Sequence, residues 1–448
     1  MSELDLIFKA YDIRGTFPDQ IDADVCRAIG TAFARLTAAP SILVARDMRP
    51  SGRELVDAFT DGATSEGADI VDLGLASTDL LYFAAGKLDS PGAMFTASHN
   101  PAGYNGIKLC RAGAAPVGEE SGLRDIKAMV EQDITASATS RGRVTEKDVL
   151  AEYADHVRNF TGALREASKP VRVVADAANG MGGLVVPAVM QGLPVDLELM
   201  YPELDGTFPN HPADPTVPEN LKDLRERVVS SKAAIGLGFD GDADRAVVVD
   251  EKGEALSGST VTAMLAQRLL RDAPGAAVVH NLICSRSVPE VVRESGGRPI
   301  RSRVGHSFIK GVMAETDAVF GGEHSAHYYF RDNYRADSGL IASVLVLDLM
   351  AETGEPLSVL RRPFERYAAS GEVNSRVEDP AATIERIADL YREQDQDRLD
   401  GLTIDGGSWW FNLRASNTEP LLRLNLEAAD SDACAAKLDE VLGRVREA

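Results

Sequence analysis

The sequence predicts an α/β protein with several domains, in which helices cover parallel or mixed β-sheets. Short apolar runs rich in β-branched residues alternate with segments of helical period: the run at 41–45 precedes a predicted helix at 52–67, and another run follows at 70–73. This alternation recurs in two later stretches, which begin at 171–176 and at 276–280. The length agrees, because 448 residues exceed what one hydrophobic core accommodates.

The C-terminal block, from about residue 370, has a different pattern. Residues 409–414 and 421–426 alternate apolar and polar side chains, which predicts two strands, and a helical segment follows from about Ser431. This block is therefore predicted to be a small α+β module, within the usual size range of a domain. Polar or turn-like segments mark the predicted seams between blocks, at 132–147, 251–254 and 362–371.

Composition and charge exclude several classes of partner. With 44% hydrophobic and 26% charged residues, the chain has the composition of an ordinary globular protein. Its formal net charge of −22 would repel nucleic acids and anionic membranes, so we expect neither as a partner, and an anionic substrate requires a local basic pocket. No apolar run approaches the roughly 20 residues that span a bilayer, and no leader-like start is present, so we expect a cytoplasmic protein. Four scattered cysteines are expected to be free thiols: Cys26, Cys110, Cys284 and Cys434.

Three aspartates alternate in the segment 238–245, Gly-Phe-Asp-Gly-Asp-Ala-Asp-Arg. The segments on either side have the pattern of strands, so Asp240, Asp242 and Asp244 are predicted to occupy the loop between them. Clustered carboxylates are unfavourable without a cation, and their oxygens suit hard cations. The sequence therefore predicts a magnesium site in this loop.

Three other interpretations of the aspartate loop remain open. The spacing superficially follows a calcium-binding EF-hand loop with Glu251 at its last position, but Arg245 stands where that loop needs glycine and strands replace its two helices. A second interpretation makes Asp240 a phosphorylated nucleophile. The third is a solvated acidic turn without a ligand.

Ser98 lies in the polar segment 96–108, Thr-Ala-Ser-His-Asn-Pro-Ala-Gly-Tyr-Asn-Gly-Ile-Lys, after a short apolar run. Asn, Pro and Gly in this segment favour a turn that presents the hydroxyl as an exposed nucleophile, which His99 and Lys108 could polarise. An ordinary turn with a capping serine is the alternative when the segment is considered alone.

Two further loops carry groups suited to phosphate and sugar. Segment 414–420, Arg-Ala-Ser-Asn-Thr-Glu-Pro, combines an arginine fork with neutral donors, as a phosphate cradle does, although a polar turn between strands is the alternative. Segment 321–329, Gly-Gly-Glu-His-Ser-Ala-His-Tyr-Tyr, offers groups that contact sugar hydroxyls. A zinc site on His324 and His327 is the alternative there, but the sequence shows no third strong ligand.

Six motifs in one order carry a resemblance to a known family. They are the four loops above, the segment 9–15, Lys-Ala-Tyr-Asp-Ile-Arg-Gly, and the segment 304–310, Val-Gly-His-Ser-Phe-Ile-Lys. Together they resemble the α-D-phosphohexomutase family, in particular its bacterial phosphomannomutase/phosphoglucomutase branch, over nearly the whole chain.

The resemblance implies four domains around a central cleft, three with related α/β/α layers and a smaller C-terminal α+β domain. The expected domains and their loops are 1–145 with the phosphoserine loop, 146–252 with the metal loop, 253–368 with the sugar loop and 369–448 with the phosphate loop.

The resemblance also implies a role for each motif. Ser98 is the implied phosphoserine, and its phosphate would join the three aspartates as a ligand of Mg²⁺. The residues implied to bind sugar hydroxyls are Glu323, Ser325 and His327. Those implied to hold the phosphate that does not react are Arg414, Ser416, Asn417 and Thr418. Those implied to surround the transferred group are Arg14, Lys108, Arg245 and His306, of which Lys108 and His306 are the candidates for proton transfer.

One departure from the family pattern concerns residues 282–286. Mutases of this family often carry a lysine in the corresponding segment, and this sequence has none there. Arg286 is the candidate to substitute for it.

The implied activity is the interconversion of hexose 1-phosphate and hexose 6-phosphate, with mannose or glucose as the sugar. The reaction would pass through the phosphoserine enzyme and a hexose 1,6-bisphosphate, which also serves as activator. Small-molecule sugar phosphates are the expected partners of a monomer or weak homo-oligomer. Three alternatives remain, namely a phosphoglucosamine mutase, a sugar-phosphate phosphatase and a non-catalytic sugar-phosphate sensor. His324 favours mannose or glucose, since phosphoglucosamine mutases often have glutamine at that place.

Overall fold

Four β-sheets, each with its own helices, follow one another along the chain in the computed structural model, which describes residues 3–415 and 421–446. The first three sheets mix parallel and antiparallel strands, and the fourth is antiparallel. The predicted α/β layering is therefore confirmed. The predicted domain boundaries stay a prediction.

The first sheet has six strands in the order β1-β5-β4-β2-β3-β6. Its strands are β1 (Ile13–Thr16), β2 (Ser41–Arg46), β3 (Asp69–Leu75), β4 (Gly92–Phe95), β5 (Tyr104–Cys110) and β6 (Val144–Glu146). The helices of this part are α1 (Ala23–Thr37), α2 (Gly52–Ser65), α3 (Thr78–Lys87) and α4 (Leu123–Glu131). Strand β2 lies parallel between β3 and β4. The predicted strand at 41–45 and helix at 52–67 are thus confirmed to within two residues.

The second sheet has four strands in the order β10-β9-β7-β8. Its strands are β7 (Val171–Asp176), β8 (Val195–Met200), β9 (Ile235–Phe239) and β10 (Ala246–Asp250). The helices are α5 (Leu150–Arg158), α6 (Gly182–Met190) and α7 (Lys222–Ser231). Strands β9 and β10 form an antiparallel pair, and the three aspartates lie in the connection between them, as predicted.

The third sheet also has four strands, in the order β12-β11-β13-β14. Its strands are β11 (Ala277–Asn281), β12 (Arg298–Ser302), β13 (Phe320–Gly322) and β14 (Tyr328–Phe330). The helices are α8 (Gly258–Asp272), α9 (Ser287–Glu294), α10 (His306–Thr316), α11 (Gly339–Thr353) and α12 (Leu357–Leu360). Helix α11 is apolar around nearly its whole circumference and is buried from Gly339 to Met350. One continuous hydrophobic core includes this helix and residues of the first three sheets, so these sheets are packed as one unit.

The fourth sheet has five antiparallel strands in the order β15-β19-β18-β17-β16 and a separate hydrophobic core. Its strands are β15 (Ala368–Arg376), β16 (Asp395–Asp397), β17 (Leu402–Asp405), β18 (Trp409–Ala415) and β19 (Leu421–Ala428). Its helices are α13 (Pro380–Leu390) and α14 (Ser431–Arg446). The small C-terminal α+β module is confirmed.

Two further features follow from the described residues. All four cysteines are buried free thiols, as expected. Within 3–415 and 421–446, no helix is both long and apolar enough to cross a membrane.

Candidate active site

Polar residues at the carboxyl ends of parallel strands converge from three sheets. Ser98 follows β4, Asp240 follows β9 and Glu323 follows β13. Ligand sites of α/β proteins form at this edge, because the strands end there and the following loops are free to carry polar groups. The loops that the sequence singled out in the first three sheets are therefore brought together.

Ser98 contacts the aspartate loop directly. Its Oγ donates a 2.8 Å hydrogen bond to Asp240 Oδ2, and Oγ lies 3.2 Å from His99 Nδ1. Ser98 is only 3% exposed, so the expectation of an exposed nucleophile is wrong for this structure. The cause is the aspartate loop, which packs over the serine: a Cβ on Gly241 would lie 2.4 Å from the carbonyl oxygen of Ser98. Only glycine permits this approach of the two loops.

Lys108 bridges two of the aspartates from strand β5. Its Nζ donates to Asp242 Oδ2 at 2.7 Å and to Asp244 Oδ2 at 2.6 Å. Burial by itself would lower the pKa of Lys108, but the two carboxylates outweigh it and raise that pKa well above its usual value. Lys108 is therefore protonated at neutral pH in this arrangement.

The three aspartates retain capacity for a cation. Asp240, Asp242 and Asp244 are at most 1% exposed, and each offers an oxygen within 4.8 Å of the others. Among the described residues, Asp242 Oδ1 and Asp244 Oδ1 have no hydrogen-bond partner although both are buried. Burial also raises the pKa of Asp240 well above its usual value, although the Arg245 guanidinium opposes the shift. Orphaned, buried carboxylate oxygens fit a hard divalent cation, because such a cation satisfies the oxygens and offsets their crowding.

Two arginines flank Ser98. Arg245 Nε donates to Asp240 Oδ2 at 2.9 Å, while its Nη2 is buried and finds no partner within 3–415 and 421–446. Arg14 donates to Asn100 Oδ1 at 2.7 Å and pairs with Asp12 at 2.5 Å. Guanidinium groups match the oxygens of phosphate, so the free Arg245 nitrogen is suited to a phosphoryl group on Ser98.

The predicted sugar loop reaches the aspartate loop through His327. His327 Nε2 lies 3.6 Å from Asp244 Oδ1, and its Nδ1 lies 3.2 Å from Ser325 Oγ. Glu323 is 2% exposed and accepts hydrogen bonds at one oxygen from Tyr329 (2.6 Å) and at the other from Asn281 (3.1 Å). The three predicted sugar-binding residues are therefore grouped around His327, beside the aspartate loop.

His306 begins helix α10 beside the first sheet. Its ring packs edge to face on Tyr11, with ring centroids 4.9 Å apart, and neither ring nitrogen has a partner in the part of the chain that is described. Burial and then the nearby Lys310 lower the pKa of His306 well below its usual value. Its imidazole is therefore neutral near pH 7.

The structure does not bring His324 and His327 together as ligands of one metal ion, but it places His327 near two carboxylates. His327 lies with Asp244 and Asp337 in a group that could hold a metal, but His324 is not part of that group. Lys310 Nζ lies 2.8 Å from Asp337 Oδ1, so a cation already balances this carboxylate. The predicted pair of histidines does not form a metal site.

The phosphate loop is only partly described. Arg414, near the end of β18, lies 3.5 Å from Asp400 Oδ2 and 3.8 Å from Glu372 Oε2. The other three predicted phosphate-binding residues, Ser416, Asn417 and Thr418, lie outside the described residues.

Arg286 joins the third and fourth sheets. Its guanidinium donates to Asp405 at 2.5 Å, and its backbone amide donates to Glu427 Oε1 at 3.0 Å. Trp410 Nε1 donates to the same Glu427 oxygen at 2.8 Å. The side chain that could replace the missing lysine is thus engaged in holding the fourth sheet against the third.

Family models of phosphoglucomutase/phosphomannomutase match all four parts of the chain. The models described as α/β/α domains I, II and III match residues 5–136, 151–253 and 257–367, and the model described as the C-terminal domain matches 372–443. The chain belongs to the phosphoglucomutase/phosphomannomutase family. It is accordingly a phosphohexomutase, an isomerase, and the resemblance found in the sequence is confirmed.

Individual members of the family match over the full length. A phosphomannomutase of Salmonella montevideo is 37% identical over 447 residues, which cover 97% of this chain and 98% of that protein. A Xanthomonas campestris protein named phosphohexose mutases is 37% identical and covers 94% of each chain. The crystal structure of a family protein from Burkholderia thailandensis superposes with a TM-score of 0.89 at 31% identity, covering 100% of this chain and 98% of that one. The four-domain architecture of the phosphohexomutases is therefore shown for this chain.

Sequence reasoning about this phosphohexomutase missed several residues that touch the site loops. Arg49 and Asp47 lie behind the Ser98 loop, and Thr78 donates to Asp242 Oδ2. Each of these residues lies within three positions of the end of strand β2 or β3. Their position just after short apolar strands could have identified them, because ligand sites form at the carboxyl ends of parallel strands.

Proposed function

We propose that this phosphohexomutase interconverts the 1-phosphate and 6-phosphate of mannose, glucose or both, and that Ser98 carries the transferred phosphoryl group. The observation that carries the proposal is the 2.8 Å hydrogen bond from Ser98 Oγ to Asp240 Oδ2. It places a hydroxyl of the first domain at a buried carboxylate cluster of the second. A serine in this position has beside it a carboxylate cluster that could hold the metal ion on which phosphoryl transfer commonly relies.

Asp240, Asp242 and Asp244 would hold Mg²⁺, together with a phosphate oxygen on Ser98. The orphaned oxygens of Asp242 and Asp244 support this assignment. Mg²⁺ bound there would neutralise negative charge on the equatorial oxygens of the transferred phosphoryl group.

In the first half-reaction, the 6-hydroxyl oxygen of a hexose 1-phosphate attacks the phosphorus on Ser98. A new P–O bond forms to the sugar, and the bond to Ser98 Oγ breaks. Arg245 and Arg14 would stabilise the charge of the moving group. His306 is the candidate to accept the hydroxyl proton, because its ring nitrogens are unengaged among the described residues, and Lys108 is the candidate to return a proton.

The product of that step is a hexose 1,6-bisphosphate, which must turn round before the second half-reaction. Its 1-phosphate then passes to Ser98, and hexose 6-phosphate is released. The two ends of the intermediate occupy equivalent positions in turn, so one sugar loop and one phosphate loop serve both orientations. The proposed sugar contacts are Glu323, Ser325 and His327, and the proposed contacts to the distal phosphate are Arg414, Ser416, Asn417 and Thr418.

Mannose and glucose are the proposed sugars. The names of the Salmonella and Xanthomonas relatives, phosphomannomutase and phosphohexose mutases, support this choice. His324 supports it as well, since phosphoglucosamine mutases often have glutamine at that place; its Nδ1 lies 3.2 Å from Asn281 Nδ2.

The test supplies the protein with Mg²⁺, a trace of hexose 1,6-bisphosphate and the 1-phosphate of mannose, glucose or glucosamine in separate reactions. We expect hexose 6-phosphate from mannose and glucose, no release of free phosphate, and a phosphate on Ser98 by mass spectrometry. Ser98→Ala should abolish the phosphoenzyme and turnover, whereas Ser90→Ala, in a loop outside the site, should retain both. Normal turnover by Ser98→Ala would refute the covalent mechanism. Stoichiometric free phosphate would identify a phosphatase instead, and binding without any turnover would identify a sensor.

A further inference from the structure

The loop that carries Ser98 has an unusual backbone. Ser98 itself has φ of 51°, in the left-handed region that non-glycine residues seldom adopt. The loop leaves β4 after Phe95 and rejoins the sheet at Tyr104, so its backbone carbonyls lie outside the regular strand ladder. Buried carbonyls of this kind need donors from elsewhere.

One buried side chain supplies most of these donors. Arg49 has a side-chain exposure of 0%, and its guanidinium donates to four carbonyl oxygens of the loop. Nη2 donates to the carbonyls of Ser98 at 2.8 Å and Asn100 at 2.7 Å, and Nη1 donates to those of Pro101 at 2.8 Å and Tyr104 at 2.9 Å. The remaining donor, Nε, reaches Asp47 Oδ2 at 3.1 Å. All five N–H groups of Arg49 are therefore used, and four of them hold the Ser98 loop.

Asp47 fixes the arginine from the opposite side. Its Oδ1 accepts the backbone amide of Arg49 at 3.0 Å, and the Asp47 side chain is also 0% exposed. A fully buried arginine needs such a counter-charge, because an unpaired buried charge is strongly destabilising. The pair thus keeps its charge balance within the first domain.

The second domain closes over Arg49. The Phe208 ring lies under the guanidinium, with Arg49 Cζ 5.3 Å from the ring centroid, and a Cβ on Gly206 would come within 2.7 Å of Arg49 Cα. This is the domain that also carries Asp240. Arg49 therefore lies between the loop of the nucleophile and the domain of the proposed metal ligands.

We propose that Arg49 is a positioning residue for phosphoryl transfer: it holds the carbonyls of the Ser98 loop so that Ser98 Oγ is aimed at the aspartate cluster. The inference rests on the proposed function of Ser98. Arg49 does not touch the reacting atoms, and it acts through the backbone that it fixes. Displacement of a reacting group by about 1 Å is enough to slow a reaction about 100-fold, so the loss of this support should affect the chemical step more than substrate binding.

The test follows the first phosphoryl transfer in isolation. Dephosphorylated protein is mixed with Mg²⁺ and excess hexose 1,6-bisphosphate, and the rate at which Ser98 gains phosphate is measured by quenched-flow mass spectrometry. Affinity for the bisphosphate is measured separately by calorimetry. The variants are Arg49→Ala and Arg49→Lys, with Arg53→Ala and Arg53→Lys as matched controls. Arg53 lies on helix α2 with 60% side-chain exposure and pairs with Asp57, away from the loop.

We expect both Arg49 variants to phosphorylate Ser98 about 100-fold more slowly, with affinity for the bisphosphate changed less than threefold. Lysine is expected to fail because three ammonium donors cannot replace a planar fork with five. Guanidinium ion at a non-denaturing concentration should restore the rate of Arg49→Ala, and methylammonium should not. The Arg53 variants should match the wild type.

Two outcomes would overturn the inference. Phosphorylation of both Arg49 variants within threefold of the wild-type rate would show that the loop holds its shape without the arginine. An equal loss of rate and of bisphosphate affinity, without guanidinium rescue, would show a general structural role. If Arg49→Ala does not fold, the phosphorylation rate and bisphosphate affinity of Arg49→Lys test the inference alone. If the wild type itself gains no phosphate on Ser98, the proposed function fails, whereas a phosphorylated wild type with normal Arg49 variants refutes only the role of Arg49.

Discussion

The hydroxyl of Thr78 donates a 2.5 Å hydrogen bond to Asp242 Oδ2, and the backbone amide of Thr78 donates to the Asp242 carbonyl at 3.0 Å. Thr78 begins helix α3 of the first domain, whereas Asp242 belongs to the second. The first domain therefore orients a carboxylate of the candidate metal site as well as supplying the nucleophile. Assembly of the two domains is what completes the site.

This relationship predicts an effect of Thr78 on metal affinity. Thr78→Val keeps the shape of the side chain and the amide contact but removes the hydroxyl, so Asp242 loses its orientation. Groups that hold a metal ligand in place typically contribute 10–100-fold to metal affinity. We expect a weakening of about 10-fold or more in Mg²⁺ affinity, measured from the Mg²⁺ dependence of mutase activity. Thr353→Val, whose hydroxyl donates only within its own helix, should leave the affinity unchanged. Equal affinities in the two variants would contradict the prediction.

The aspartate cluster predicts that magnesium stabilises the folded protein. The Oδ1 atoms of Asp242 and Asp244 have no hydrogen-bond partner among the described residues, so a bound cation would supply one. A ligand that binds only the folded state at about 100 times its Kd raises the free energy of unfolding by about 2.7 kcal/mol. We expect Mg²⁺ to raise Tm in differential scanning fluorimetry and EDTA to reverse the rise. Asp244→Asn, tested at matched ionic strength, should show a much smaller rise, and an equal rise would place the cation elsewhere.

The close approach of Gly241 to Ser98 predicts that even one methyl group disrupts the site. In Gly241→Ala the new Cβ would lie 2.4 Å from the Ser98 carbonyl oxygen, so one of the two loops must move. We expect a loss of mutase activity of about 100-fold or more, since reacting groups misplaced by about 1 Å lose that much. Gly443→Ala is the control, because a Cβ there meets nothing within 4 Å. Wild-type turnover by Gly241→Ala would show that the two loops can separate without affecting catalysis.

The sequence was sufficient for elements whose signal is local. The aspartate loop between β9 and β10 was predicted correctly, because apolar strands on both sides bound a short polar segment. The small C-terminal module was predicted for the same reason, from alternation in its strands.

The burial of Ser98 and the support from Arg49 were not predicted. Both depend on contacts between segments that are far apart in the chain: Ser98 and Asp240 are separated by 142 residues, and Arg49 and Ser98 by 49. Composition and periodicity describe each segment separately, so they do not show which loop packs over which. In the case of Arg49, a charged residue after a strand is equally compatible with an exposed turn.

Buried histidines predict how stability depends on pH, and His280 is the best placed for a test. Burial lowers the pKa of His280 to about 4, whereas an unfolded histidine titrates near 6.5, so acidification protonates the unfolded chain first and stability falls between these values. Between pH 7 and pH 5, this residue should account for a loss of about 2 kcal/mol, which His280→Asn should remove. His211 supplies a control of opposite sign: burial opposes its protonation, but the Asp176 carboxylate outweighs burial and raises its pKa. The stability from His211 is present below the unfolded pKa and is lost as pH rises, so His211→Asn should make the loss on acidification larger.

Urea unfolding at pH 7 and pH 5 measures both effects on the free energy of unfolding. A change of the same sign in His280→Asn and His211→Asn would refute the opposite pKa shifts assigned to these two histidines.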